Sequence, residues 1–178
     1  MTYKKIFIYI ISLLVMFILS GCNNNKIITV DEFKKEAEKL NYVTLDVTEQ
    51  YTSNKNIKNV ITAKGSEKYT ILFFVFDDDL SATGMFNTNK SSFESYKNNN
   101  SKERSLSMID YSIYALESDN YYMYICRVNN TLIYTKVSNI YKDKVNKLIK
   151  KLEYYYKDWV FSKNYISFIK YNKRKTTY

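Results

Sequence analysis

An uncharged run from Ile6 to Leu19 takes the first 21 residues out of any domain this chain can form. Lys4 and Lys5 precede it as a short positive region, and only Tyr9 and Ser12 interrupt its apolar character. It closes on Leu19-Ser20-Gly21-Cys22 and gives way to Asn23-Asn24-Asn25-Lys26. A charged start, an apolar middle and a small-residue end are the layout of a secretory signal. As a membrane span the run is short, because crossing the hydrocarbon core takes about 20 apolar residues. The folding unit must therefore come from Cys22 onward, which is enough chain for one domain with a real core.

The end of the run resembles the lipobox of bacterial lipoproteins. That resemblance implies a diacylglyceryl group on Cys22 and cleavage between Gly21 and Cys22. An ordinary secretory signal would instead leave Cys22 as an unpaired thiol outside the cell, an awkward feature there. Two acyl chains hold a protein stably on a bilayer, since each buried CH₂ contributes about 0.8 kcal/mol and one chain alone is marginal. The expected location is the extracytoplasmic side of the cell membrane, with palmitate among the acyl groups and the membrane itself as a partner through Cys22.

With Cys22 lipidated, Cys126 is the only other thiol, so no intrachain disulfide can form. Packing must hold the domain. Cys126 lies in the mostly apolar run from Tyr121 to Val128, which predicts a buried, inert thiol. Lys, Asn, Ile and Tyr are abundant and Pro and His are absent, the bias of AT-rich codons. The net charge of +9 is uneven. Lys4 and Lys5 supply +2, and residues 157–178 supply +5, which leaves +2 for residues 22–156. A basic chain rich in aromatics invites a nucleic-acid reading, but the export signal and near-neutral body argue against it, and no nucleic-acid partner is expected.

Residues 22–28 read as a short polar tether, reaching at most about 25 Å. A domain over residues 29–156 follows, then a basic aromatic tail over 157–178. Thr29 and Glu32 fit a capping box, with Ile28 and Phe33 as its hydrophobic staple. Val30, Phe33, Ala37 and Leu40 share one face of the first helix, and Asn41 suits its left-handed end. Tyr42 to Val47 reads as extended, and Thr48 to Asn59 as a polar connection. Val60–Ala63 and Tyr69–Phe76 form a hairpin around Gly65-Ser66. Tyr69–Phe76 is apolar on both faces, as a central strand is.

Leu80 to Lys97 predicts a second helix with Met85, Phe86, Phe93 and Tyr96 inward. After a loop over Asn98–Lys102, three strands follow: Ser107–Leu116, Tyr121–Val128 and Thr131–Val137. Asp119-Asn120 and Asn129-Asn130 supply the turns. Ile140 to Tyr156 predicts a third helix with Val145, Leu148, Ile149 and Leu152 inward and a solvated lysine face. The expected fold is α+β: a mostly antiparallel sheet of about five strands with helices packed on one face.

The lipobox, Thr29–Tyr51 (TVDEFKKEAEKLNYVTLDVTEQY), Met85–Glu94 (MFNTNKSSFE) and Asn130–Glu153 (NTLIYTKVSNIYKDKVNKLIKKLE) together resemble small uncharacterised lipoproteins of low-GC Gram-positive bacteria. The resemblance covers roughly residues 1–155. It implies an envelope location and no particular activity; residues 156–178 depart from the pattern.

The absence of His removes Ser-His-Asp and Cys-His arrangements and the HExxH zinc motif. Gly21, Gly65 and Gly84 are isolated, so no phosphate or dinucleotide loop exists. A SxxK match at Ser167–Lys170 carries no weight in a chain this rich in Ser and Lys. Asp77-Asp78-Asp79 is the strongest acidic cluster. It reads first as the cap of the second helix, and alternatively as the carboxylates of a cell-envelope hydrolase. Trp159, Lys170, Lys173, Arg174 and Lys175 are candidate membrane-contact residues in the tail, where aromatics and cations suit an interface; an added element packed on the domain is the competing reading. The chain is thus expected to be a membrane-anchored, non-enzymatic binding or accessory lipoprotein. No cofactor or catalytic residue is expected, and its partner is an envelope protein or ligand of unknown identity.

Overall fold

The computed structural model describes residues 26–155 except 66–68. The first helix, α1 (Val30–Glu38), starts where its capping chemistry puts it. Glu32 N–H donates to Thr29 Oγ1, and Thr29 N–H donates back to the Glu32 carboxylate. The helix ends as Tyr42 N–H donates to Ala37 O and Asn41 N–H to Glu38 O, with Asn41 at φ 61°. That reciprocal closure needs a left-handed residue, and asparagine tolerates it better than most.

The strands are β1 (Val43–Asp46), β2 (Ile57–Lys64), β3 (Thr70–Phe76), β4 (Lys102–Ser107), β5 (Tyr111–Glu117), β6 (Tyr121–Val128) and β7 (Thr131–Ser138). A 3₁₀ turn, Thr48–Tyr51, separates β1 from β2, so the polar connection is shorter than its sequence suggests. Helix α2 (Asp79–Glu94) joins β3 to β4, and α3 (Lys142–Lys151) follows β7 after a second 3₁₀ turn. All seven strands form one sheet in the order β1-β2-β3-β7-β6-β5-β4, antiparallel throughout. Two meanders, β1-β2-β3 and β4-β5-β6-β7, meet where β3 pairs β7.

Two expectations are corrected. The sheet has seven strands, because Ser107–Leu116 is divided by a turn at Met108–Asp110 and Lys102–Ser107 is a strand of its own. And the helices do not share one face. Helices α1 and α3 pack with Phe33, Ile61, Phe73, Tyr124, Ile133, Leu148 and their neighbours on one side. Helix α2 packs through Ala82, Phe86 and Phe93 against Phe74, Tyr114, Met123, Ile125 and Leu132 on the other. The reason lies in the strands. Tyr111–Leu116 and Tyr122–Val128 are buried at every residue, so both faces of the sheet need cover.

Within α2, Phe86 and Phe93 are buried as expected, whereas Tyr96 lies beyond the helix end and is 40% exposed. Its ring receives the Lys136 ammonium 3.7 Å from the centroid, a use of an aromatic face at the surface. In α3, Val145, Leu148 and Ile149 face the core, and Leu152 caps it from just beyond the helix.

Cys126 is fully buried, and loss of hydration pushes its thiol up to about 12. A thiolate is the reactive form, so little exists near neutrality. At pH 8 a maleimide should leave Cys126 unmodified in the native protein and react with it fully in denaturant. Rapid modification without unfolding would contradict this placement.

Candidate functional site

Strand directions gather one set of loops at a single end of the sheet. The end of β3, the start of β7, the end of β6, the start of β5 and the end of β4 all meet there. Backbone hydrogen bonds link the loops laterally into a rim. Asp77 N–H donates to Asn56 O at 2.9 Å, Phe76 N–H to Asn130 O at 2.8 Å, and Asn129 N–H to Asp110 O at 2.7 Å. The Asn130 amide also donates to Phe76 O at 2.8 Å. Asn129 takes φ 48°, which lets the β6–β7 turn close in two residues.

Both ends of the described chain arrive at this rim. After α3, Tyr154 N–H donates to Ile149 O and Glu153 N–H to Lys150 O, with Glu153 at φ 59°. This repeats the closure of α1 and turns Tyr154 into the core. Its hydroxyl meets Thr131 Oγ1 at the first residue of β7, and its carbonyl accepts from the Tyr124 hydroxyl. Burial raises the Tyr154 phenol above its ordinary range, and the Thr131 hydroxyl and Ile28 backbone act against that rise. Ile28, itself buried just ahead of α1, belongs to the same core cluster as Tyr154.

The acidic cluster lies on the rim, but its carboxylates do separate things. Asp77 pairs with Lys58 at 3.2 Å. Asp78 is the N-cap of α2 and accepts from Ser81 N–H at 2.7 Å and from the Ser81 hydroxyl at 3.1 Å. Those two donors, the backbone one first, hold the Asp78 carboxyl below its usual range. Asp79 occupies the first turn of the helix, where negative charge is favourable. A general acid near neutrality needs the opposite shift. Among the described residues, no three His, Cys, Asp or Glu side chains are placed to hold a metal ion. The other turn acids are structural too: Glu117 pairs with Lys142, and Asp119 accepts from the Asn98 amide.

Sequence reasoning missed the most unusual part of the rim. Met108 and Ile109 form the β4–β5 turn and stand exposed, Ile109 at 99%. Beneath them Arg127 is almost completely buried. Its guanidinium donates to Ile109 O at 2.8 Å, to Met108 O and Asn129 O at 3.3 Å each, and to Ser112 Oγ at 3.4 Å. A planar fork with several fixed donors suits this multiple grip. Carbonyls and a hydroxyl, not a carboxylate, accept its hydrogen bonds, and the result is a stiff turn that displays two apolar side chains. In the sequence Ser107-Met108-Ile109-Asp110 reads as continuous strand; only Asp110 hints at the turn.

Gly21, Cys22, Trp159, Lys170, Lys173, Arg174 and Lys175 lie outside the described residues. No family model, curated protein or solved structure matches the chain.

Proposed function

We propose that this protein is a lipid-anchored lipoprotein of the extracytoplasmic membrane face, with a non-enzymatic binding or accessory role there, as the resemblance to small Gram-positive lipoproteins implies. The observation that carries the reading is Leu19-Ser20-Gly21-Cys22 at the end of an uncharged run. The domain is suited to such an anchor. Only six residue steps separate Cys22 from the buried Ile28, so the two lie at most about 22 Å apart. The non-enzymatic part rests on the missing His and on the capping and ion-pair roles of Asp78 and Asp77.

The test is Cys22→Ala with cell fractionation. The wild-type chain is expected in the membrane pellet, released by detergent and not by salt. The variant is expected to lose that association or to accumulate uncleaved. A processed variant that still sediments as the wild type does overturns the lipid anchor.

A further inference from the structure

We propose that the Met108–Ile109 tip rests on the lipid bilayer and sets the orientation of the domain over the membrane. This rests on the lipid anchor at Cys22. The tether enters at Ile28, buried in one cluster with Tyr154 just ahead of α1; the far end of α1 leads into Val43 at the opposite end of the sheet, so the entry lies on the rim side, where the Tyr154 hydroxyl meets Thr131. From Thr131 the tip is two strands away, since β7 pairs β6 and β6 pairs β5 at this end. Two strand spacings are about 10 Å. A rim whose entry point is held within about 22 Å of an acylated residue faces the bilayer, and the tip is its exposed apolar projection.

Three features favour lipid over water as the surroundings of this tip. Ile109 is 99% exposed, and Met108 beside it is 46% exposed. Arg127 holds the turn from below through two of its carbonyls, Met108 O and Ile109 O, and ties it to Ser112 and Asn129, so little ordering remains to be done on contact. And Leu80, 81% exposed, adds a second apolar point on the same rim, at the start of α2. The charged residues next to these apolar points in the chain are the acids Asp110 and Asp79, not cations, so the tip's contact is apolar rather than electrostatic. It should persist on zwitterionic lipid and in high salt. That separates it from any contact made by the basic tail, which salt would screen.

The experiment uses the mature lipidated protein in phosphatidylcholine vesicles. Ile109→Cys carries a polarity-sensitive fluorophore; Ile140→Cys, equally apolar and 75% exposed at the opposite end of the sheet, is the control. Both sites are exposed, so folding is not at stake, and the buried Cys126 escapes labelling. Headgroup-region nitroxide lipids should quench the Ile109 probe at least about twofold more than the Ile140 probe, in low and high salt alike. Equal quenching of the two probes in vesicle-bound protein overturns the orientation while the anchor stands. An Ile109 probe shielded only in native envelope fragments assigns the tip to a protein partner and overturns the bilayer contact. Protein that carries no lipid and does not float with vesicles overturns the anchor and the orientation together.

Discussion

Tyr154→Ala is expected to destabilise the domain by about 3–5 kcal/mol, the usual cost of emptying a buried aromatic site. Tyr154 is fully buried although it follows the last helix, and its ring packs edge-on to Phe73 at 6.4 Å. The substitution also removes the hydroxyl contact with Thr131, which ties α3 to the start of β7. For a domain of this size the unfolding temperature should fall by roughly 10 °C or more. Tyr154→Phe keeps the ring and loses only the hydroxyl, costing about 1 kcal/mol. A chain cut after Tyr156 keeps every contact described and should unfold at the temperature of the full mature chain. If that truncation costs as much as Tyr154→Ala, residues 157–178 belong to the core and the proposed domain limit is wrong.

Arg127→Ala is expected to cost about 2–4 kcal/mol, since it breaks a buried polar network and opens a cavity in one step. Arg127→Lys should recover little of this, because a single ammonium cannot serve acceptors spread over Met108, Ile109, Ser112 and Asn129. Arg127→Met separates packing from grip. It should unfold closer to the wild type, yet amide hydrogen exchange should rise around the β4–β5 turn. Unchanged exchange there in Arg127→Met would show that the turn holds its shape without the guanidinium.

The local signals in the sequence were sound where the chemistry is local. Thr29, Glu32 and Asn41 set the limits of α1 through bonds made within a few residues, and each does what its type favours. Asp78 caps α2 for the same reason. What could not be read depends on distant partners. Strand β4 is polar and largely exposed, with only Leu106 partly buried; pairing with β5 makes it a strand, not its own pattern. The side of the sheet taken by each helix is likewise absent from any helix's periodicity. The hint was in the strands: Tyr111–Leu116 is apolar enough on both faces to demand two covers. Arg127 sits in an apolar run, and only the fold reveals that it reaches the carbonyls of a turn 18 residues earlier. Asp77-Asp78-Asp79 and Asn129-Asn130 mark two of the rim's loops in the sequence, but the rim as a whole has no signature there, because antiparallel pairing brings its loops together.

As proposed, the mature protein begins at a lipid-modified Cys22. Mass spectrometry of the protein extracted from membranes reads that N-terminus. The expected N-terminal peptide starts at Cys22 and carries the mass of a diacylglyceryl group. An N-terminus at Met1, or an unmodified Cys22 after cleavage elsewhere, would contradict it.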